Sequence, residues 1–227
     1  CLVGSEMCIR DRGVPGLAPS RIGTEAEIEA LKHGVAQFYP MLEGYPVLSE
    51  EASRFVKNFM DVDIRPEGII PTVGAMQASY VAFMALTECH KGKDTILFID
   101  PGFPVQKTQL EVIGKPYQTF DIYEYREEKL EAKLREYLDR GNIAGIVYSN
   151  PNNPSWVCLT DFELQVIGKL ATEYDTIILE DLAYFAMDFR KDLSHPGKAP
   201  FQPTVAKYTD NYISVSYTHL RAHETLS

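Results

Sequence analysis

The chain has 227 residues, 45% of them hydrophobic and 24% charged, which is the balance of a globular protein with a sizeable core. Its 22 basic and 32 acidic residues give a formal net charge of −10, which disfavours a nucleic-acid binder that relies on a basic face. A membrane-spanning helix requires an apolar run of about 18 residues, and the sequence contains no such run. Its four cysteines lack metal-type spacing, so we expect free thiols, no metal site and a cytoplasmic location.

The two ends differ from the rest of the chain. Residues 1–12 have no clear hydrophobic period and no apolar stretch of the signal-peptide kind, and residues 217–227 have no domain-like ending. Both segments resemble translated sequencing-adapter read-through, and an ordinary ragged terminus is the alternative. We therefore expect residues 13–216 to be a truncated large domain between two non-native extensions.

The first part of the chain predicts two helices and a strand. Residues 24–27 have the pattern of a capping box with Thr24 as N-cap, and apolar residues then recur at helical spacing as far as Phe38. Ser49 is the predicted N-cap of a second helix with an apolar face. Residues 69–73 predict a short strand.

From Gly74 onward, helical patterns alternate with apolar strands. Gly141 stands where a helix C-terminal cap belongs, Thr160 begins another capping box, and residues 190–208 predict a long surface excursion. The further strands are predicted at residues 95–99, 116–122, 143–149, 176–179 and 212–215. Strands that are apolar on both faces and separated by helices indicate an α/β fold, with a mostly parallel sheet covered by helices on both faces.

In such a sheet, ligands bind at the carboxyl ends of the strands. Those ends are followed by GAMQA, DPGFP, NPNNPS and EDLAY, in that order. The set resembles the fold-type I pyridoxal-phosphate enzymes, in particular the class I/II aminotransferases, over residues 13–216. The resemblance implies a cofactor-binding large domain of an enzyme that uses pyridoxal 5′-phosphate to move an amino group between an amino acid and a 2-oxo acid.

The resemblance assigns five residues to the cofactor phosphate. Gly74, Ala75 and Met76 match the phosphate loop, where backbone N–H groups at a helix start bind the anion, although a plain strand-to-helix turn has the same pattern. Ser216 matches a phosphate-binding serine. Tyr39 matches a tyrosine that reaches the cofactor of a neighbouring subunit, which implies a homodimer in the intact protein.

Four more residues match positions around the cofactor ring. Phe103 matches the stacking aromatic, and Asn153 and Tyr184 match the two donors to the phenolate oxygen. Asp181 matches the carboxylate that keeps the pyridine nitrogen protonated. The structural alternatives are a core aromatic, a turn-forming asparagine, a packing tyrosine and a helix N-cap.

The chain departs from the family at the reactive lysine. Ser214 and Ser216 begin the family's serine pattern, but His219 stands where the lysine belongs, and no lysine follows Lys207. No catalytic residue can therefore be assigned, and we expect this chain to be inactive as given. Trp156 is a second departure, since the family has glycine there. Two alternatives share the same cofactor loops, namely a β-eliminating lyase and a ligand-sensing regulatory domain.

Overall fold

A computed structural model describes residues 20–217. Residues 40–217 belong to one compact unit, and residues 20–39 belong to another. Residues 1–12 and 218–227 lie outside the described part, so their interpretation as non-native extensions stays a prediction. Between residues 20 and 217, no helix has both the length and the apolar character that crossing a membrane would require.

Residues 20–39 contain helix α1 (Arg21–Lys32) and a 3₁₀ turn (Val35–Gln37). The helix is capped by Ser20, whose hydroxyl accepts the Gly23 N–H at 3.4 Å, so the prediction that Thr24 is the N-cap is wrong. A serine four residues upstream provides an equivalent acceptor and lets the helix begin one turn earlier.

Helix α2 (Pro46–Met60) begins at a proline, whose fixed φ suits the first turn of a helix. Ser49 is consequently buried inside the helix and is not its N-cap, which corrects the prediction. The predicted apolar face is present. Phe55 and Phe59 contact Phe185, with ring centroids 5.2 and 6.4 Å apart.

Residues 69–73 are an extended loop, and the prediction of a strand there is wrong. Pro71 lacks the N–H that strand pairing requires. The side chains of Ile70 and Val73 are largely exposed, so this apolar segment does not form part of a sheet face.

The sheet has five strands, all parallel, and thus confirms the predicted α/β class. In chain order the strands are β1 (Thr95–Asp100), β2 (Tyr117–Asp121), β3 (Ile143–Ser149), β4 (Ile177–Asp181) and β5 (Tyr212–Val215), in the spatial order β2–β1–β3–β4–β5. Four helices accompany them: α3 (Gly74–Cys89), α4 (Pro104–Ile113), α5 (Glu128–Leu138) and α6 (Asp161–Glu173).

Helices cover both faces of the sheet. Helices α3 and α4 contribute Phe83 and Leu110 to one apolar core, and α5 and α6 contribute Leu134 and Leu170 to the other. The register pairs Asp181 with Ser149 of β3 and with Val215 of β5. The carboxyl ends of these strands therefore meet at one edge, where the predicted ligand residues follow.

The segment 190–208 is only partly a surface excursion. Residues 194–200 are exposed, whereas Gln202, Thr204 and Val205 are buried. The Gln202 side chain accepts the Ala186 N–H at 2.9 Å and donates to the Asn150 carbonyl at 3.3 Å. Hydrophobic patterns predict burial only for apolar residues. Gln202 is polar and is buried through hydrogen bonds, so the pattern did not predict its burial.

Gly168→Ala should destabilise the fold by about 1–3 kcal/mol, because overpacking a buried site forces its neighbours to shift. A Cβ at this position of α6 would lie 2.7 Å from the Tyr208 Cβ and 3.2 Å from the Tyr208 carbonyl carbon. Urea denaturation measures the effect. Gly23→Ala is the matched control, since its nearest neighbour would be 3.7 Å away and a helical alanine is favourable there. Equal stability of the two variants would contradict the prediction.

Candidate active site

Hydrogen bonds join the loops that follow four of the strands. The Asn152 amide donates to the Pro101 carbonyl at 2.7 Å, which connects the loops after β3 and β1. The Asn150 N–H donates to the Asp181 carbonyl at 3.0 Å, and the Leu182 N–H donates to the Val215 carbonyl at 2.8 Å. The residues that sequence analysis placed at separate strand ends are thus attached to one connected edge.

Asp181 is the last residue of β4, and only 6% of it is exposed. Its Oδ1 accepts the Ala183 N–H at 2.9 Å, and its Oδ2 accepts the Gln106 side-chain amide at 2.9 Å. Two N–H donors on one carboxylate fix its orientation. The site therefore contains a buried, oriented carboxylate at the sheet edge.

Gln106 is the site residue that sequence reasoning missed. It lies in the first turns of α4, one turn before the fully buried Leu110, and is itself buried. A signal was present, because a polar residue on the buried face of a helix needs a hydrogen-bond partner. The sequence does not show which partner that is, since Asp181 lies 75 positions away.

Gln106→Leu should lower the free energy of unfolding by about 1–3 kcal/mol, because it removes a donor from a buried carboxylate at nearly constant side-chain size. Denaturant titration at neutral pH measures the loss. Gln165→Leu, at an exposed position of α6, is the control and should change stability by less than about 0.5 kcal/mol. A loss no larger than that of the control would show that Gln106 does not support Asp181.

Glu180 lies beside Asp181 in sequence and is completely buried. Its carboxylate accepts hydrogen bonds from Tyr148, Thr204 and Ser214 side chains and from the Val205 N–H, at 2.6–3.2 Å. Burial raises the pKa of this carboxyl group, and the four donors partly oppose that rise. Glu180 thereby connects β3, β4 and β5 to the buried segment before β5 and supports the end of the sheet.

Gly74 begins helix α3 with a φ of +70°, a conformation that glycine adopts without strain. A Cβ there would lie 2.9 Å from the ring of Tyr217. Ala75 is buried, and the Met76 carbonyl accepts the Gln109 amide at 2.8 Å, which connects this helix start to α4. The predicted phosphate loop is therefore an anchored helix N-terminus, a place where backbone N–H groups and the helix dipole favour anions.

The residues assigned to the ring positions follow the same edge. Asn153 is half-buried, and its N–H donates to the Ser149 hydroxyl at 3.1 Å. Tyr184 is half-buried and contacts the ring of Trp156, and Phe103 is the half-buried N-cap residue of α4. Their assignment to cofactor atoms stays a prediction.

Ser216 and Tyr217 complete the described part of this edge. The Ser216 hydroxyl donates to the Leu182 carbonyl at 3.2 Å. Burial raises the pKa of the Tyr217 phenol, and the charges of Asp181 and Tyr184 raise it further, so Tyr217 lies in the electrostatic field of the site. It also belongs to the segment that we interpret as non-native.

Two other residues of the sequence analysis do not join this edge by any described contact. Tyr39 lies in the unit of residues 20–39 and is fully exposed, so its contact with a neighbouring subunit stays a prediction. Lys207 precedes β5, and its Nζ lies 5.2 Å from the centroid of the Phe201 ring. His219, at the expected lysine position, lies outside the described residues.

Known proteins share both the sequence pattern and the fold. Aspartate aminotransferase of Pyrococcus horikoshii is 30% identical over 79% of this chain and 44% of its own length. Glutamate-pyruvate aminotransferase AlaC of Escherichia coli is 27% identical over 64% of this chain and 35% of its own. The chain thus spans less than half the length of these curated relatives.

Solved structures give the same fold. Alanine aminotransferase from Pyrococcus furiosus superposes with a TM-score of 0.73 at 23% identity, over 88% of this chain and 48% of that one. A methionine aminotransferase from Escherichia coli superposes with a TM-score of 0.75 at 16% identity, over 94% and 54% of the two chains. The family model for aminotransferase class I and II matches residues 14–219. The chain therefore belongs to the class I and II aminotransferase family.

Proposed function

We propose that this chain provides the cofactor-binding large domain of a pyridoxal-phosphate-dependent aminotransferase that moves an amino group between an amino acid and a 2-oxo acid. The observation that supports it most strongly is the buried Asp181 carboxylate, oriented by Gln106 and the Ala183 N–H at the sheet edge of a class I and II family member. Because the chain spans less than half of its relatives, the activity belongs to the complete protein.

The residues present fit pyridoxal 5′-phosphate. A buried carboxylate is the natural partner of a protonated ring nitrogen, and the α3 N-terminus at Gly74 suits a phosphate. Asn153 and Tyr184 offer an amide and a phenol as donors to a phenolate oxygen. Within residues 20–217 no group of three His, Cys, Asp or Glu side chains is arranged to hold a metal ion.

Pyridoxal 5′-phosphate, when bound, supplies an electron-withdrawing ring that stabilises negative charge at the substrate Cα. Asp181 would keep a proton on the ring nitrogen, since its fixed negative charge favours the cationic form. Phe103 would pack on the ring and exclude water. Asn153 and Tyr184 would donate hydrogen bonds to the cofactor, and the helix start at Gly74 would hold its phosphate.

Two further proposals concern the complete protein and this chain. We propose a homodimer in which Tyr39 reaches the neighbouring subunit's site, and light scattering that finds an active monomer would contradict it. The 227-residue chain has no lysine after Lys207. It should therefore bind the cofactor noncovalently and weakly, without transaminase activity.

The direct test is cofactor binding by the 227-residue chain. Pyridoxamine 5′-phosphate fluoresces, so its anisotropy should rise on binding to this chain and should rise much less with Asp181→Ala. Asp121→Ala changes an exposed carboxylate at the end of β2 and is the matched control. Equal binding by all three proteins would remove Asp181 from the proposed site.

A second measurement locates any covalent link. Borohydride reduction with pyridoxal 5′-phosphate, followed by peptide mass mapping, should label several surface lysines partially, because exposed amines react with the free aldehyde. Stoichiometric labelling of one lysine, together with amino-acid-dependent 2-oxo acid formation, would contradict the proposed inactivity.

A further inference from the structure

Trp156 adopts a backbone conformation that a bulky side chain ordinarily avoids. Its φ is +58°, in the left-handed region. The turn requires this conformation to close, because the Asn152 N–H donates to the Val157 carbonyl and the Trp156 N–H donates to the Asn152 carbonyl, both at 2.9 Å. Glycine fits such a position without strain. A tryptophan at such a position indicates a role for its side chain.

The Trp156 ring is the centre of an aromatic cluster. It lies edge-on to the Tyr184 ring with centroids 5.3 Å apart, and it stacks on the Phe189 ring at 6.1 Å with an angle of 13° between the planes. Trp156 is 41% exposed and Phe189 is 80% exposed. The cluster therefore presents a flat apolar surface to solvent, although its rings are already ordered by contact with each other.

The aromatic cluster lies beside the residues that we propose to bind the cofactor. Trp156 follows Asn153 by three residues and touches Tyr184, and these two side chains are the proposed donors to the cofactor's phenolate oxygen. That oxygen is a neighbour of the cofactor carbon that exchanges the amino group. In the proposed function, a substrate that reacts at this carbon is therefore bound close to these residues.

The charges beside the cluster favour an uncharged side chain. Arg190, next to Phe189, donates two hydrogen bonds to the Asp188 carboxylate, at 2.7 and 2.9 Å. Asp188 is buried, and its carboxylate neutralises the charge of the Arg190 guanidinium, whose side chain is 70% exposed. An acidic substrate side chain would find no new cation at this pair.

We propose that Trp156 and Phe189 form a subsite that selects amino acids with aromatic or large apolar side chains. This inference rests on the proposed function. Such a side chain covers the exposed ring surface and removes apolar area from water on both partners. Trp156 is thus a specificity-determining residue rather than a group that takes part in the chemistry.

The test uses the 227-residue chain and reduced conjugates of pyridoxal 5′-phosphate with phenylalanine, alanine and aspartate. These stable compounds need no lysine for binding, and their pyridoxyl fluorescence reports anisotropy. Trp156 is the single tryptophan of the chain, so quenching of its emission by a bound pyridoxyl group gives a second readout at the proposed subsite. Pyridoxamine 5′-phosphate alone measures cofactor binding independently of any side chain.

We expect the phenylalanine conjugate to bind about tenfold more tightly than the alanine conjugate, and the aspartate conjugate to gain nothing over alanine. Trp156→Gly should abolish this preference while leaving pyridoxamine 5′-phosphate affinity within about twofold. Phe189→Ala should reduce the preference for the phenylalanine conjugate. This change is at an exposed position and carries little risk to folding. Phe162→Ala is the matched control, since Phe162 is 44% exposed on α6, and it should retain the full preference.

Three results would overturn the inference. Equal affinities for the three conjugates, or a preference that survives Trp156→Gly, would overturn it while leaving the proposed function intact, provided that pyridoxamine 5′-phosphate binds. Failure of pyridoxamine 5′-phosphate and of every conjugate to bind would overturn the proposed function and this inference together.

Discussion

Asp181→Ala in the complete enzyme should lower turnover by about 10²–10⁴-fold. Removing one partner of a buried charge pair costs about 3–5 kcal/mol, and each 1.36 kcal/mol in the activation barrier is a factor of ten. The loss should fall mainly on kcat, because in the proposed function Asp181 acts through the ring nitrogen, whose charge matters most when negative charge develops at the substrate Cα. Single-turnover measurement of the 2-oxo acid formed gives the rate.

Two variants separate this role from a structural one. Asp181→Asn keeps the size of the side chain and can still accept the Ala183 N–H with its one oxygen, while its amide N–H can donate to the Gln106 side-chain oxygen after that amide turns over, but it loses the charge. It should fold normally and remain nearly as slow as Asp181→Ala. Asp121→Ala should be as active as the wild type. Activity of Asp181→Asn within threefold of wild type would refute the electrostatic role.

Glu180→Ala should lower the free energy of unfolding by about 3–5 kcal/mol, the largest loss of stability that we expect from one substitution. The change leaves three hydroxyl groups and the Val205 N–H without their common acceptor inside the fold. Denaturant titration of the 227-residue chain measures it. Glu88→Ala, at an exposed glutamate of α3, should cost less than about 0.5 kcal/mol. Equal losses for the two variants would refute this account of Glu180.

The pH dependence of the Glu180 contribution has a defined sign. Burial raises its pKa above the usual 4.5 in the folded state, so protons bind more tightly to the folded than to the unfolded chain. The stability that this group contributes is therefore present below pH 4.5 and is lost as the pH rises through the folded pKa. As the pH rises through the folded pKa, the free energy of unfolding of the wild type should fall relative to that of Glu180→Gln. A difference between the two that does not change with pH would contradict the direction.

The sheet and its edge were predictable because their signals are local. Strands β1, β3 and β4 contain runs of apolar residues, and the motifs DPGFP, NPNNPS and EDLAY stand where these three strands end. The capping box at Thr160 was likewise correct, since both halves of its reciprocal hydrogen bonding lie within four residues. The Ile69–Val73 segment shares the apolar composition of a strand but has no neighbouring strand to pair with. Composition alone did not reveal that.

The rest depended on contacts between distant parts of the chain. Gln106 meets Asp181, and Thr204 meets Glu180, through side chains that have no short-range signature. Ser20 and Thr24 both have side chains that can cap the N-terminus of α1, and the local sequence does not show which of them does so. The positive φ of Trp156 arises from the closure of its turn. A tryptophan in the sequence does not predict a positive φ.

The position of β5 has a consequence for synthesis of the protein on the ribosome. This strand is the last in the described chain, yet its Val215 carbonyl accepts the Leu182 N–H, and its Ser214 hydroxyl donates to Glu180. The edge of β4 that carries Asp181 therefore has no partner while residues 182–211 emerge from the exit tunnel. Unpaired strand edges promote association between chains. The interval before β5 emerges is thus one in which this edge of β4 is open to pairing with another chain.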